Sequence, residues 1–150
     1  EEELTIYFKQ YENLGNEIEK VTSPFLMVLE IPKINIKQGI YSKNDTRNII
    51  DKNISILSES IKIDHEKSLL ILAAHSGNSI YSYFRNLDKL RLNDIIIIYY
   101  EGHKYTYKIN KIYEMSKTIA FKLPDIKNNK IILITCLNDA TYLIIEALNT

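Results

Sequence analysis

Apolar runs separated by short polar segments dominate the chain, and their periodicity predicts mostly strands. The continuous apolar runs at residues 68–74 and 131–135 are typical of strands buried on both faces. Apolar and polar residues alternate over 104–113, and this segment with the apolar run 95–100 predicts a β-hairpin. Many short strands with few helices in one chain favour a sandwich or a closed barrel.

The remaining segments are assigned by the same pattern. The polar stretch at 41–65 predicts short helix, turn and loop. Proline and paired asparagines within 115–129 predict a connecting loop before the apolar run at 131–135. The further predicted elements are strands at 25–31, from Ile34 onward and at 142–145, short helix, turn and loop over 41–65, a short helix over 80–87, and a loop over 115–129.

The N-terminal segment has a different pattern from the rest. Apolar residues recur at three- and four-residue intervals over 2–19, which predicts an amphipathic helix. We therefore divide the chain into a helix or stalk at 1–22 and a barrel domain at 23–150. No apolar run approaches the roughly 18 residues of a membrane span. Because the sequence opens with glutamates rather than methionine, a removed N-terminal membrane anchor is one expectation.

Composition and charge exclude several function classes. The 150-residue chain is 45% hydrophobic and has 19 basic and 19 acidic residues, so its formal net charge is zero. Nucleic-acid-binding domains usually carry a basic excess, and we expect no such partner. The single cysteine, Cys136, excludes an internal disulfide and a cysteine-rich metal cluster. Histidine spacing typical of a metal site and glycine-rich cofactor loops are absent, so no metal or cofactor is expected.

His75 and Cys136 are the candidate catalytic pair. Each directly follows one of the two buried runs, and strand ends beside loops are where rigid scaffolds hold reactive groups. Neighbouring strand ends would give the pair the layout of a nucleophile and its base. The alternative is structural, because a lone cysteine is often a small core residue. His65 and His103 lie in polar surroundings and are expected at the surface.

Four segments in a fixed order along residues 25–147 strengthen the catalytic interpretation. They are Ile-Pro-Lys-Ile at 31–34, Leu-Ala-Ala-His at 72–75, Phe-x-x-Leu-x-x-Leu at 84–90 followed by Asp94-Ile95, and Leu-Ile-Thr-Cys at 133–136. In these motifs the sequence resembles the sortases, the Gram-positive cysteine transpeptidases that join proteins to the cell wall or to pilins. It departs from many members at Ala74 and Asn93, where glycine is common.

The resemblance implies a mainly β fold, a closed barrel of about eight strands with short helices. It also implies cleavage of a Leu-Pro-x-Thr-Gly-like sorting signal and transfer of the acyl group to an amine. Cys136 would form a thioester acyl-enzyme, and His75 would protonate the leaving amine and deprotonate the incoming one.

The resemblance extends to partners and location. The partners would be the sorting-signal peptide of a surface protein and an amine of a cell-wall precursor or pilin. The expected location is the extracellular face of the plasma membrane, in contact with the cell wall. Ala74, Thr135 and Asn138, which flank the candidate pair, would contact the substrate.

One family residue is missing. Sortases carry an arginine on the last strand, a few positions beyond the cysteine, whereas residues 137–150 contain neither Arg nor Lys. Tyr142 stands nearest the expected place and could donate a hydrogen bond without a charge. Arg85 or Arg91 is the alternative, a cation reaching the site from another loop. The open hypotheses are an active transpeptidase with an altered oxyanion site, a weak or inactive sortase-like binding or scaffold domain, and an unrelated structural domain.

Overall fold

The computed structural model describes residues 24–60, 68–122 and 128–150. These residues form one eight-stranded sheet, which confirms the mainly β prediction. The helix predicted over 2–19, and with it the division at residue 22, lies outside the described residues, as does His65. No helix in the described part of the chain has the length and apolar character needed to cross a membrane.

The strands follow the apolar runs of the sequence closely. Two short 3-10 turns, Pro32–Ile34 and Leu87–Lys89, are the helical elements in these ranges. The strands are β1 (Met27–Ile31), β2 (Ile36–Ile40), β3 (Ser55–Ile56), β4 (Leu69–Ala73), β5 (Ile95–Tyr100), β6 (His103–Ser116), β7 (Lys130–Cys136) and β8 (Thr141–Asn149).

The sheet curls into a nearly closed barrel, with strand order β2-β1-β5-β6-β8-β7-β4-β3. Its neighbours pair antiparallel except β4 and β7, which are parallel. The buried side chain of Asn53 links the segment before β3 to the other edge. Its Oδ1 accepts from Gln38 Nε2 at 2.7 Å, and its Nδ2 donates to the Gly39 carbonyl at 2.9 Å.

Two apolar clusters explain why β4 and β7 are buried on both faces. Side chains alternate along a strand, so Leu70 and Leu72 of β4 join the barrel interior while Leu69 and Ile71 face outward. The outward residues pack with Ile132 and with apolar residues of β6 and β8 in a second cluster. This outer cluster is the platform on which the candidate site is built.

Turn chemistry confirms one sequence prediction and overturns another. Glu101 and Gly102 both have positive φ, as a two-residue hairpin turn between β5 and β6 requires. The helix predicted over 80–87 is wrong, because this segment forms turns before the 3-10 turn at its end. Ser82 Oγ accepts from the Ser79 backbone N–H at 3.2 Å, and such local serine bonds compete with a helix.

The predicted connections also need correction. Residues 41–60 contain turns and the short strand β3 rather than a helix. The loop expected from residue 115 begins after Ser116, because β6 continues in register with β8 to that residue. Both differences come from pairing with distant strands, which local pattern does not encode.

A buried ion pair connects β7 and β8 at the far end of the outer cluster. Lys130 Nζ donates to Glu146 Oε1 at 2.7 Å, and Tyr113 Oη donates to Oε2 at 2.6 Å. The Glu146 side chain is only 6% exposed. Burial alone would raise the pKa of this carboxyl, but the bonds from Lys130 and Tyr113 outweigh burial and hold its pKa below the ordinary value of 4.5.

We expect Glu146→Gln to lower the free energy of unfolding by about 1–3 kcal/mol near pH 7, because Lys130 loses its buried partner. A lowered folded-state pKa means that the Glu146 contribution is complete above pH 4.5 and disappears as pH falls through that lowered value. Urea unfolding measured over a range of pH should therefore show that the free energies of unfolding of Glu146→Gln and the wild type converge in acid. Glu114→Gln, at an exposed position on β6, is the control. A constant difference down to strongly acidic pH would contradict this role for Glu146.

Candidate active site

The parallel pair β4–β7 brings the two predicted catalytic residues to one end of the sheet. Ala73 is in register with Ile134, and the Ala74 backbone N–H continues the pairing to the Ile134 carbonyl at 3.3 Å. His75 lies two residues after Ala73, and Cys136 lies two residues after Ile134. Neighbouring strands lie about 4.8 Å apart, so the two residues leave adjacent strands at the same edge.

Two hydrogen bonds fix these strand ends. Thr135 Oγ1 donates to the Ala74 carbonyl at 2.7 Å, and Ser76 Oγ donates to the Cys136 carbonyl at 2.6 Å. Thr135 is only 4% exposed, so its hydroxyl is committed to the scaffold. Ala74 and Thr135, predicted to contact substrate, thus hold the segments that present His75 and Cys136.

A cavity of about 410 Å³ opens on the outer cluster, within the usual range for ligand pockets. His75, Cys136 and Tyr142 line it, as do Ala74 and Thr135. Cys136 is exposed, which contradicts the alternative that it is a core residue. The other lining residues are Ile50, Leu57, Glu59, Ala73, Met115, Phe121 and Ile134.

The structure settles the orientation of Tyr142, which the sequence left open. Tyr142 is registered opposite Cys136 and packs with the outer cluster, on the same face as Ile134. The Nζ of Lys117 lies 5.2 Å from the centroid of the Tyr142 ring, within cation–π range. Tyr142 therefore forms a wall of the large cavity directly beside the thiol.

Asp51 contacts His75 and is not among the residues predicted from the sequence. His75 Nε2 lies 2.9 Å from Asp51 Oδ1, and the two side chains are 43% and 77% exposed. Asp51 comes from the turns between β2 and β3, 24 positions before His75. It stands in a polar stretch with no spacing that marks it, so only the fold brings it to the imidazole.

A second, smaller cavity of about 140 Å³ also borders Cys136. Tyr142 lines the first cavity and Leu143 the second, and consecutive strand residues point to opposite faces. The two cavities therefore lie on either side of the start of β8. The residues lining the smaller one are Ser76, Phe84, Arg85, Asp88, Thr135, Cys136, Leu137 and Leu143.

Asn138, predicted to contact substrate, lies apart from this arrangement, as does His103, which was expected at the surface. Asn138 lines neither cavity, and its Oδ1 accepts from the backbone N–H groups of Ala140 and Thr141, both at 2.9 Å. It shapes the β7–β8 turn. His103 is exposed in the β5–β6 hairpin, where Nδ1 lies 2.9 Å from the Glu101 carbonyl oxygen. Its surface position is as expected.

The site geometry agrees with a comparison against known families. A family model described as a sortase domain matches residues 29–148. The chain belongs to the sortase family. That match covers β7, β8 as far as residue 148, and every residue lining the two cavities. It excludes the hypothesis of an unrelated structural domain and supports, in general terms, a cysteine transpeptidase. A comparison with curated proteins gives no match.

Solved sortase structures share the fold at low sequence identity. Sortase C-1 from Actinomyces oris superposes with TM-score 0.74 at 21% identity, covering 94% of this chain and 81% of that one. Sortase A from Corynebacterium diphtheriae gives 0.72 at 23% identity, with coverage of 96% and 68%. A Clostridium perfringens sortase D5 transpeptidase gives 0.71 at 23% identity, with coverage of 99% and 92%. This barrel is therefore a sortase fold.

Proposed function

We propose that the protein is a transpeptidase that cleaves a Leu-Pro-x-Thr-Gly-like sorting signal and transfers the acyl part to an amine. The observation that carries the proposal is an exposed Cys136 sharing one cavity with His75 at the ends of paired strands. The proposed cellular location is the extracellular face of the plasma membrane. The proposed partners there are a surface protein and an amine of the cell wall or of a pilin.

The first half-reaction makes the acyl-enzyme. The Cys136 thiolate adds to the carbonyl carbon between Thr and Gly, forming a C–S bond while the carbonyl π electrons move to oxygen. When those electrons return, the C–N bond breaks, and protonated His75 gives its proton to the leaving amine. The product is a thioester, a free amine and a neutral imidazole.

The second half-reaction regenerates the enzyme. The acceptor amine adds to the thioester carbon, and neutral His75 takes the proton that the amine loses. The C–S bond then breaks, and its electron pair returns to Cys136 as thiolate. The imidazole is protonated again, so one group serves as acid and then as base.

The large cavity supports the peptide part of the proposal. Its apolar lining, with Ile50, Leu57 and Phe121, suits the leucine and proline of a sorting signal. A Clostridium perfringens sortase C was solved with its C-terminal cell wall sorting motif, at 22% identity to this chain. Ala74 and Thr135 are proposed as wall residues of this peptide site, and Asn138 as a contact at the adjoining turn.

The deciding experiment incubates the protein with a panel of sorting-signal peptides and an amine acceptor. Mass spectrometry should detect a mass increase on Cys136, the cleaved amine fragment and the transferred product. Scrambled peptides of equal composition are the control. Peptide binding without any adduct would instead support a sortase-like binding or scaffold domain, a reading favoured by the lack of basic residues in 137–150.

Tyr142→Phe is expected to slow acyl-enzyme formation roughly tenfold, because it removes one neutral donor beside Cys136 while keeping the ring. Rapid-quench mass spectrometry measures the rate. Tyr81→Phe, at an exposed tyrosine that lines neither cavity, is the matched control. An unchanged rate in Tyr142→Phe would leave Tyr142 as a cavity wall without a hydrogen-bonding role.

A further inference from the structure

We propose that Arg85 supplies the positive charge at the reacting carbonyl, from the segment after His75 rather than from the last strand. This inference rests on the proposed function, because it concerns the acyl transfer at Cys136. It assigns a catalytic role to a residue whose only sequence signal is its charge.

The last strand offers no cation to the site. Residues 137–150 contain neither Arg nor Lys, and Lys130 is the last basic residue of the chain. Lys130 lies at the far end of β7 from Cys136 and is paired with Glu146 at 2.7 Å. A cation that stabilises negative charge developing beside Cys136 would therefore come from another part of the fold.

Arg85 is placed to be that partner. Among the described residues that line the two cavities bordering Cys136, it is the only Lys or Arg. The smaller cavity measures about 140 Å³, and the exposed residues Arg85 and Cys136 both line it. Leu143 of β8 lines the same cavity. Arg85 therefore lies on the side of Cys136 where β8 contributes an apolar side chain.

The guanidinium of Arg85 is held by its own turn. Its Nη2 donates to the Ser79 carbonyl at 2.6 Å, and its Nε donates to the Ser82 carbonyl at 3.2 Å. Ser82 is buried and Ser79 is exposed, so the bond from Nε is the one that ties the Arg85 side chain to the packed scaffold. Within the described residues Nη1 has no hydrogen-bond partner, which leaves donors for a substrate oxygen. Asp88 lines the cavity too, but no ion pair within 4.0 Å joins it to Arg85.

The other nearby cations fit less well. Arg91 lines neither cavity, and its Nη1 donates to the carbonyls of Asp88 and Leu90, both at 2.9 Å. Lys117 lines neither cavity and lies over the Tyr142 ring. Arginine is always protonated and offers several donors in a fixed fork. A donor held in place before reaction stabilises developing oxyanion charge without reorganising.

Three variants of Arg85 separate its charge from its structural bonds. Arg85→Ala should slow acyl-enzyme formation about a hundredfold, the usual cost of losing a preorganised oxyanion donor. Arg85→Gln keeps an amide donor for the turn but has no charge, and should be about as slow. Arg85→Lys keeps the charge and should recover part of the rate. Arg91→Ala, on the same segment, should stay within about twofold of wild type.

Guanidinium rescue tests the same point without a new side chain. Guanidinium ion at concentrations far below those that unfold the protein should restore acylation in Arg85→Ala in a saturable manner. It should leave Arg91→Ala and wild type unchanged. Circular dichroism on each variant shows which of them are folded.

The possible results distinguish a failure of the proposed function from a failure of the role proposed for Arg85. A wild-type protein that forms no acyl-enzyme with any peptide contradicts the proposed function itself. A wild type that acylates normally, with Arg85→Ala within about threefold of it, overturns only the role of Arg85. If Arg85→Lys is as slow as Arg85→Ala and guanidinium restores nothing, Arg85 merely anchors the Ser79–Ser82 turn. That result also overturns the inference.

Discussion

Cys136→Ala is expected to abolish the acyl-enzyme while the barrel stays folded. Cys136 is the only thiol of the chain, so no other side chain can form the thioester. The residue is exposed at the end of β7, and its truncation leaves no buried void. We therefore expect the free energy of unfolding to change by about 0.5 kcal/mol or less.

Intact-protein mass spectrometry with an intact sorting-signal peptide that the wild type cleaves measures the first result, and urea unfolding measures the second. Cys136→Ser is the matched control, because it keeps the shape and polarity of the site while weakening the nucleophile. Both variants should still bind peptide. A strongly destabilised Cys136→Ala, together with no adduct on the wild type, would show that the cysteine serves packing rather than catalysis.

The sequence predicts the two central strands because their environment is simple. β4 and β7 are covered on both faces, by the barrel interior and by the outer cluster, and they read as continuous apolar runs. The residues that follow such runs are easily found, which is why His75 and Cys136 stand out. Their placement at one edge needs only the parallel pairing of the two strands.

Other features depend on contacts that no local pattern records. Asp51 reaches His75 from a distant turn, and nothing in its neighbours distinguishes it from a solvated carboxylate. The face taken by Tyr142 was undetermined because both faces of β8 are apolar, one toward each cluster. The apolar spacing before Leu87 resembled a helix, but hydrogen bonds of Ser79 and Ser82 favour turns.

His75→Ala is expected to lower the turnover rate by about 10²–10⁴, the usual contribution of a general acid–base group. His75 lines the cavity of Cys136 and is the only histidine among the cavity residues in the described ranges. Leaving-group protonation and acceptor deprotonation both pass through this imidazole in the proposed reaction. Steady-state kinetics with peptide and amine, followed by mass spectrometry, measures the loss.

His103→Ala is the matched control, and its rate should equal that of wild type because His103 lies in the β5–β6 hairpin. Equal damage from both variants would contradict the assignment of roles. Asp51→Asn should give a smaller loss than His75→Ala. The Asp51 carboxylate orients the ring at 2.9 Å, but the pair is largely exposed and water competes for both partners. Added imidazole should restore turnover in His75→Ala if the missing function is proton transfer. It should restore nothing in Asp51→Asn, where the imidazole is still present and only its orientation is lost.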